Sequence, residues 1–408
     1  MVSTPARKAQ SKIGLVLLAY IAFISLGLPD GLLGVAWPSI RSDFALPLDS
    51  LGLLLFSATA GYLTSSFFSG QIMSRLGIGG LLAVSCCMTG ASLLGYTLAP
   101  AWWMIVLLGV FAGFGGGAID AGINTYIASN FGEGLMQWLH ASFGVGITLG
   151  PIIMTAGINY FHSWRTGYIV VGTAQIALGI CFALTAALWK QEKSAAQETG
   201  TQQRIMDYKT PLWETLRQPS VWLSVLLFFL YTGLELLTGH WGYTLLTESR
   251  GIAPQVAGLW AGGYWGTFTL GRILAGLYAR RVGVNKLVQI SLLTALFGAV
   301  LLWWNPINLV SLIGIAVVGF AVAPIFPAMV SGTEARVSAR HAANTIGMQI
   351  SAAGLGGALL PGFAGVLANR ISLEIIPVYL IVLVVSLTVL YSLSTRNRRP
   401  VEEPQRAG

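Results

Sequence analysis

The chain contains 408 residues, of which 55% are hydrophobic and 9% are charged, and its formal net charge is +8. Soluble domains carry about 25% charged residues, so the composition excludes a soluble globular protein and indicates an integral membrane protein. A basic balance can indicate nucleic-acid binding, but here the basic residues flank apolar runs, where anionic lipid is a sufficient partner. We therefore expect membrane lipids, and no nucleic acid, among its partners.

The predicted elements are apolar runs, each near the length of about 20 residues that spans a bilayer as a helix. The first run is too long for the apolar core of a signal peptide and lacks a small-residue cleavage site, so we predict that it is retained. The sequence therefore predicts an all-α integral membrane protein with twelve transmembrane helices. The runs are 13–37, 51–74, 79–98, 102–128, 137–160, 166–189, 219–245, 255–279, 285–304, 308–330, 343–368 and 372–394.

The distribution of Lys and Arg predicts the orientation in the membrane. Most of the 23 basic residues fall in the two termini and in the loops on the same side as the termini. Cytoplasmic loops carry the excess of Lys and Arg. We therefore predict a multi-pass protein of the plasma (inner) membrane with both termini in the cytoplasm.

The twelve runs divide into two halves that repeat one pattern. A polar stretch separates six runs from six, which predicts an N-terminal half at 1–190, a cytoplasmic linker at 191–218, a C-terminal half at 219–394 and a cytoplasmic tail at 395–408. Matching features recur at offsets of about 205 to 210, which indicates duplication. They are Gly144-x-Gly146-x4-Pro151 with Gly354-x-Gly356-x4-Pro361, Gly113-Phe114 with Gly319-Phe320, Asp30 and Gly34 with Glu235 and Gly239, and Arg75 with Arg280.

Three carboxylates lie inside the apolar runs: Asp30, Asp120 and Glu235. A charge at such a position costs roughly 2.5–3.5 kcal/mol on insertion scales, so we interpret the three acids as parts of a water-accessible path. We predict that Asp30 and Glu235 couple transport to an ion, because loss of hydration favours the protonated form of a buried acid. The expected ion is a proton, with sodium as the alternative. Asp30 has a second interpretation, in which it caps the distortion that Pro29 introduces.

Polar and aromatic residues on the same helix faces predict the solute site. Residues four apart share a helix face, which places Asn124 beside Asp120 and Tyr231 beside Glu235. Acids, an amide and aromatic rings suit a polyhydroxylated solute, because hydroxyl groups need donors and acceptors and sugar rings stack on aromatic faces. The predicted solute contacts are Asp120, Asn124, Glu235, Tyr231, Trp241 and Trp265. The alternative for Asp120 and Asn124 is a hydrogen bond that holds helices together.

Four basic residues are predicted to act in gating or proton relay: Arg272, His140, Arg75 and Arg280. An unpaired guanidinium inside a membrane helix is costly, so we expect Arg272 to have a carboxylate partner, either Glu235 or Asp120. That pair could also be purely structural. His140 could relay a proton or could be a hydrogen-bonded residue at a helix contact.

The sequence contains no pattern typical of an enzyme or of a metal site. It has no HExxH or GxSxG motif, and Cys86, Cys87 and Cys181 lack the spacing of metal ligands. We therefore predict a protein that is not an enzyme, that uses no cofactor or bound metal, and that acts as a monomer.

Several of these motifs resemble the major facilitator superfamily over nearly the whole chain. The superfamily loop after the second and eighth helices is similar to Gly70-x4-Arg75-x-Gly77 and to Gly276-x3-Arg280-Arg281-x-Gly283. More narrowly, the chain resembles the fucose-permease-like sugar branch, which includes sodium-dependent glucose transporters. The segments that carry this second resemblance are Leu28-Pro29-Asp30-Gly31, Asp120-Ala-Gly-Ile-Asn124, Leu139-His140-Ala-Ser-Phe143-Gly144, Tyr231-Thr-Gly233-Leu-Glu235, Gly239-His240-Trp241, Gly271-Arg272 and Gly319-Phe320-Ala-Val-Ala-Pro324-Ile-Phe326-Pro327.

The resemblance implies roles for two acids and also shows two departures. In that branch the acid matching Asp30 is associated with proton coupling, and the acid matching Asp120 with sugar recognition. Ser74 stands where the loop motif usually has Asp, which puts the usual acid–base latch of the N-terminal half in doubt. Ala141 stands where the fucose permease has Asn, so fucose itself is not implied.

Together these patterns predict a secondary transporter that works by alternating access. We expect it to move a small polar solute in symport with a proton, and a sugar is the solute that the patterns favour. One alternative is a proton-coupled exporter of drugs or amphipathic metabolites, because Gly146-x3-Gly150-Pro151 also resembles a signature of drug–proton antiporters. An alternative of another class is a membrane receptor that does not transport.

Overall fold

A computed structural model describes residues 5–130, 133–189 and 210–396. Within these ranges the chain is helical and contains no β-strand. Residues 191–209 of the predicted linker and residues 397–408 of the predicted tail lie outside the described residues.

In the part of the chain that the structure describes, twelve long helices form two halves of six. Eleven of the described helical stretches have the length and apolar character of a membrane span. The remaining long helix, α8, carries Arg272, Arg280 and Arg281 and occupies the place of the predicted eighth span. The helices are α1 Pro5–Asp43, α2 (50–76) and α3 (78–98) within Ser50–Leu98, α4 Trp102–Asn130, α5 Glu133–Phe161, α6 Trp164–Thr185, α7 Pro219–Thr244, α8 Pro254–Val282, α9 Val284–Trp304, α10 Asn308–Val322, α11 Ala339–Arg370 and α12 Ile375–Arg396.

Shorter helices extend or join the long ones. The predicted run 308–330 is interrupted, because Pro324 has no backbone N–H and starts a new helix. The short helices are Ala186–Leu188, Leu212–Leu216, Leu245–Ser249, Ile325–Ser331 and Thr333–Val337. We call the end of the bundle that carries Trp189 and Thr210 the linker face, and the opposite end, which carries Asp43 and Arg250, the far face.

Two glycines mark equivalent turns in the two halves. Gly77 joins α2 to α3 with φ 68°, and Gly283 joins α8 to α9 with φ 80°. Residues with a side chain rarely adopt positive φ, whereas glycine does so readily. Both turns lie at the linker face, so the repeated loop motif is explained by a backbone requirement at the same point of each half.

Glycines also set the helix contacts inside each half, and the contacts repeat. In the N-terminal half a methyl group at Gly146 of α5 would overlap the backbone carbonyl of Ile24 in α1. In the C-terminal half a methyl group at Gly356 of α11 would overlap the carbonyl of Phe229 in α7. Small residues allow membrane helices to approach this closely.

The two halves meet between mid-membrane and the far face. Across the interface, Gly34 of α1 lies against the carbonyl of Gly239 of α7, Gly52 of α2 against Gly362 of α11, and Gly258 of α8 against the side chain of Thr155 of α5. At the far face Arg41 donates to both carboxylate oxygens of Glu248, at 2.8 and 2.6 Å. This conformation is therefore closed at the far face.

Candidate functional site

Asp30 lies one helical turn to the linker side of the Gly34–Gly239 contact. Its side chain is exposed, although Leu28, Gly31 and Leu32 around it are buried. An exposed carboxylate in the middle of a membrane helix requires an open, hydrated space beside it. That space lies between the two halves, on the linker side of the contacts that close the far face.

The break at Pro29 has its hydrogen-bond partner on another helix. Pro29 has no N–H, so the carbonyl four residues earlier, that of Ser25, loses its partner within the helix. That oxygen accepts a hydrogen bond of 2.9 Å from Nε2 of Gln175 in α6. Among the described residues no hydrogen bond makes Asp30 the partner of this break, and its carboxylate is exposed to the open space.

Asp120 of α4 is held by two neighbours. Its Oδ2 accepts a hydrogen bond of 2.5 Å from the hydroxyl of Tyr62 in α2, and its Oδ1 accepts one of 2.8 Å from Nδ2 of Asn124. All three side chains are partly exposed. Asp30 also lies within electrostatic range of the Tyr62 hydroxyl, so this phenol is near both intramembrane acids of the N-terminal half. Nothing in the sequence pattern had singled out Tyr62.

His140 of α5 is exposed and near both halves of the site. Its ring meets Phe23 edge-on, with centroids 5.7 Å apart. It interacts electrostatically with Asp120 and with Arg272. Among the described residues no hydrogen bond fixes its ring, which leaves the relay interpretation as a prediction.

Arg272 of α8 has Glu235 of α7 beside it, rather than Asp120. The shortest distance, from Nη2 to Oε1, is 3.9 Å, and the side chains are 29% and 12% exposed. The guanidinium also lies over the ring of Phe268, 4.3 Å from its centroid, while its Nε is buried and has no acceptor among the described residues. At 3.9 Å the two charged groups form an ion pair without a direct hydrogen bond. This is expected if Arg272 exchanges its carboxylate partner.

The predicted aromatic contacts are buried in this conformation. Tyr231 is 0% exposed and donates to the carbonyl of Val322 at 3.0 Å; Trp241, also 0% exposed, donates to the carbonyl of Pro361 at 2.9 Å. Trp265 packs against Gly239. These three buried rings support the helix contacts behind the site, and Tyr231 also interacts with the Glu235 carboxylate. Tyr264, which the sequence did not single out, donates to the backbone carbonyl of Glu235 at 2.7 Å.

Arg75 and Arg280 lie away from the acids, at the linker face. Both precede the positive-φ glycines of the two equivalent turns, and Arg75 is exposed. The side chain of Arg280 is outside the described part of the structure. Their predicted part in gating stays a prediction.

Comparison with known proteins gives one family and a consistent fold. A sequence profile described as Major Facilitator Superfamily matches residues 19–245 and 223–408. The relatives include the Bypass of stop codon protein 6 of Saccharomyces cerevisiae, 23% identical over 95% of this chain and 84% of that protein, and the glucose/mannose transporter GlcP of Bacillus subtilis, 20% identical over 88% of each. The human sodium-dependent glucose transporter 1 is 24% identical over 86% of this chain and 72% of that protein.

Solved structures share the fold. A bacterial homolog of the human lysosomal transporter Spinster, in an inward-facing and occupied conformation, superposes with a TM-score of 0.77 at 14% identity over 97% of this chain and 98% of that one. The nucleoside transporter NupG, as its D323A mutant, superposes with a TM-score of 0.75 at 15% identity over 92% of this chain and 98% of that one.

Proposed function

The chain belongs to the Major Facilitator Superfamily and is a transporter, and on this premise we propose that it moves a small polar solute, a sugar, through the space between its halves. The observation that carries the proposal is the set of polar groups beside that space. The Tyr62–Asp120–Asn124 group and the Glu235–Arg272 pair combine acceptors and donors from both halves. A sugar presents several hydroxyl groups, each able to donate and accept, and such a mixed set can satisfy them.

The names of the relatives agree with this solute class. Two relatives are described as transporters of glucose or of glucose and mannose, and a third is described as a hexuronate transporter of Bacillus subtilis. We therefore propose a monosaccharide as the solute.

We propose that the protein works by alternating access, which the position of the contacts between the halves supports. We propose that the linker face is cytoplasmic, because the basic residues flank that side, and that the protein lies in the plasma membrane. The present conformation is then open to the cytoplasm and closed outside by Gly34–Gly239, Gly52–Gly362 and Arg41–Glu248. Separation of these contacts would expose the same polar groups to the other side.

We propose that a proton drives accumulation and that Asp30 carries it. The carboxylate is exposed to the open space and forms no ion pair within the described residues. Such an acid can bind a proton on one side and release it on the other as the halves rock. Sodium is the alternative coupling ion. Because relatives are described as sodium-dependent, the test must also include a sodium gradient.

Export of amphipathic compounds gains no support from the motif that suggested it. Gly146 packs against Ile24, and Gly150 packs against Leu28 and Gly31. The equivalent Gly356 packs in the same way in the other half. The motif is explained by the contact between helices, so we do not propose export.

The test is solute exchange in liposomes that contain the purified protein. Liposomes loaded with unlabelled glucose, mannose or glucuronate take up the corresponding labelled sugar by counterflow, and an imposed pH or sodium gradient then reports coupling. We expect saturable glucose or mannose counterflow, and uphill uptake with the pH gradient. Absence of counterflow with every sugar, in protein that gel filtration shows to be folded, would refute the proposal.

A further inference from the structure

Gln175 of α6 is a buried amide whose side-chain hydrogen bond goes to another helix and not to α6 itself. The side chain is 0% exposed, and its Nε2 donates to the backbone carbonyl of Ser25 in α1 at 2.9 Å. Its Oε1 is also buried and has no donor among the described residues. A buried amide that satisfies only one of its ends is costly, so a hydrophobic residue of similar size would be the more stable choice.

The carbonyl that Gln175 binds is the one that Pro29 leaves free. In an α-helix the N–H of residue 29 would bond the carbonyl of residue 25, and proline has no such N–H. Unpaired carbonyls at membrane depth must find another partner. Gln175 therefore replaces, from a neighbouring helix, the single hydrogen bond that Pro29 removes from α1.

This bond acts on the segment that carries Asp30. Ser25 and Asp30 are five residues apart, which places them about 140° apart around the helix. Ser25 thus faces α6 while Asp30 faces the open space. Gly27 and Gly31, which precede and follow the acid, lie against backbone atoms of Phe143 and Ile147 in α5, so α1 is held from two helices around Asp30.

The C-terminal half has no equivalent device. The position 205 residues after Pro29 is Leu234, and the positions 205 to 210 residues after Gln175, 380–385, are all apolar. Glu235, which matches Asp30, instead lies 3.9 Å from Arg272. The proline and the amide therefore occur together, and only in the half that carries the exposed acid.

We propose that Gln175 is a positioning residue for Asp30. By satisfying the Ser25 carbonyl it fixes the rotation of α1 at Pro29 and so keeps the Asp30 carboxylate directed at the space between the halves. The proposal rests on the proposed function in one respect, the coupling role of Asp30, but the geometry it describes can be measured without any solute.

The experiment is a double-mutant cycle of Gln175→Met and Pro29→Ala in the full-length protein in liposomes. Restoring the N–H at position 29 lets α1 satisfy Ser25 itself, so Gln175 should then be dispensable. The first readout is the rate at which a hydrophobic carbodiimide, which modifies protonated carboxyl groups, labels Asp30, measured by peptide mass spectrometry relative to the unlabelled form of the same peptide. The second is the ratio of uphill uptake to counterflow, and thermal unfolding of each variant is recorded alongside.

We expect Gln175→Met to change the relative labelling of Asp30 by about fivefold or more and to lower the ratio of uphill uptake to counterflow. In the Pro29→Ala background the same substitution should change labelling by less than about twofold. Equal changes in both backgrounds, or loss of thermal stability with no change in Asp30 labelling, would overturn the proposal. Failure of wild-type counterflow would refute the sugar-transport proposal alone, because the labelling cycle requires no sugar.

Discussion

Gly34 of α1 and Gly239 of α7 lie in contact across the two halves, and they are also equivalent positions of the internal repeat, 205 residues apart. Two equivalent residues can meet in this way only near the axis that relates the halves. The acids one turn away, Asp30 and Glu235, are equivalent as well, so the two carboxylates flank the axis on the open side of the closure.

The first prediction concerns this contact. A methyl group at Gly34 would overlap the carbonyl of Gly239. Because that carbonyl belongs to the helix backbone, it cannot move aside as the end of a flexible side chain could. We expect Gly34→Ala to disfavour the state closed at the far face and to slow counterflow by about tenfold or more. Alkylation of cysteines introduced at the far face measures the change in access. Gly14→Ala, on the same helix with no atom within 4 Å, is the matched control and should behave as wild type.

The second prediction concerns Asp30 as the coupling acid. Asp30→Asn keeps the size of the side chain and removes the group that can release a proton. We expect uphill uptake to be lost and counterflow to continue within about threefold of wild type. Asp43→Asn, which changes an acid at the far face that is paired with Arg165, controls for a general effect of charge. Uphill uptake that survives in Asp30→Asn would assign coupling to another group.

The third prediction separates the two possible partners of Arg272. Residues in contact show coupling free energies of about 0.5–3 kcal/mol in double-mutant cycles. Because Glu235 lies 3.9 Å from Arg272, we expect Arg272→Gln and Glu235→Gln to be non-additive in stability and in transport. Arg272→Gln and Asp120→Asn should be close to additive. The reverse pattern would show that the transporting protein uses the other acid as the partner.

The fourth prediction concerns the ion pair at the far face. Arg41 and Glu248 join the two halves, and their side chains are 27% and 28% exposed. Pairs this accessible contribute about 1 kcal/mol or less and are screened by salt. We expect Arg41→Glu to shift the protein modestly toward opening at the far face and Arg41→Glu with Glu248→Arg to restore closure. A double variant that stays as open as the single one would mean that the pair has no part in closure.

The fifth prediction concerns Glu374, in the loop before α12. Hydrogen bonds from Arg250, above all, and from Ser249 lower the pKa of this carboxyl below its ordinary value of 4.5. A lowered pKa stabilises the folded protein at pH values above 4.5, and this contribution is lost as the pH falls below that value toward the folded-state pKa. We expect Glu374→Gln to reduce thermal stability near neutral pH and to weaken its decline on acidification between about pH 5 and about pH 3. An unchanged decline would indicate that other groups cause it.

Several features of this protein follow from its sequence because they depend on local properties of the chain. The length and apolarity of each run predict twelve helices, and the polar stretch after the sixth predicts two halves. Gly77 and Gly283 were recognisable as corresponding glycines of a repeated loop motif, and both adopt the positive φ that glycine tolerates best. The equivalence of Asp30–Gly34 and Glu235–Gly239 was likewise visible as spacing alone.

Other features depend on how the helices pack, and only the tertiary structure decided them. A buried polar atom bonds whichever group the packing brings within reach, so spacing along the chain could not pair Gln175 with Ser25 or Tyr62 with Asp120. The same holds for Arg272, whose partner was left open between two acids, and for Tyr231 and Trp241, whose rings are buried in this conformation. Hydropathy and backbone conformation are encoded residue by residue, whereas these contacts join helices up to 150 residues apart and exist only once the bundle has assembled.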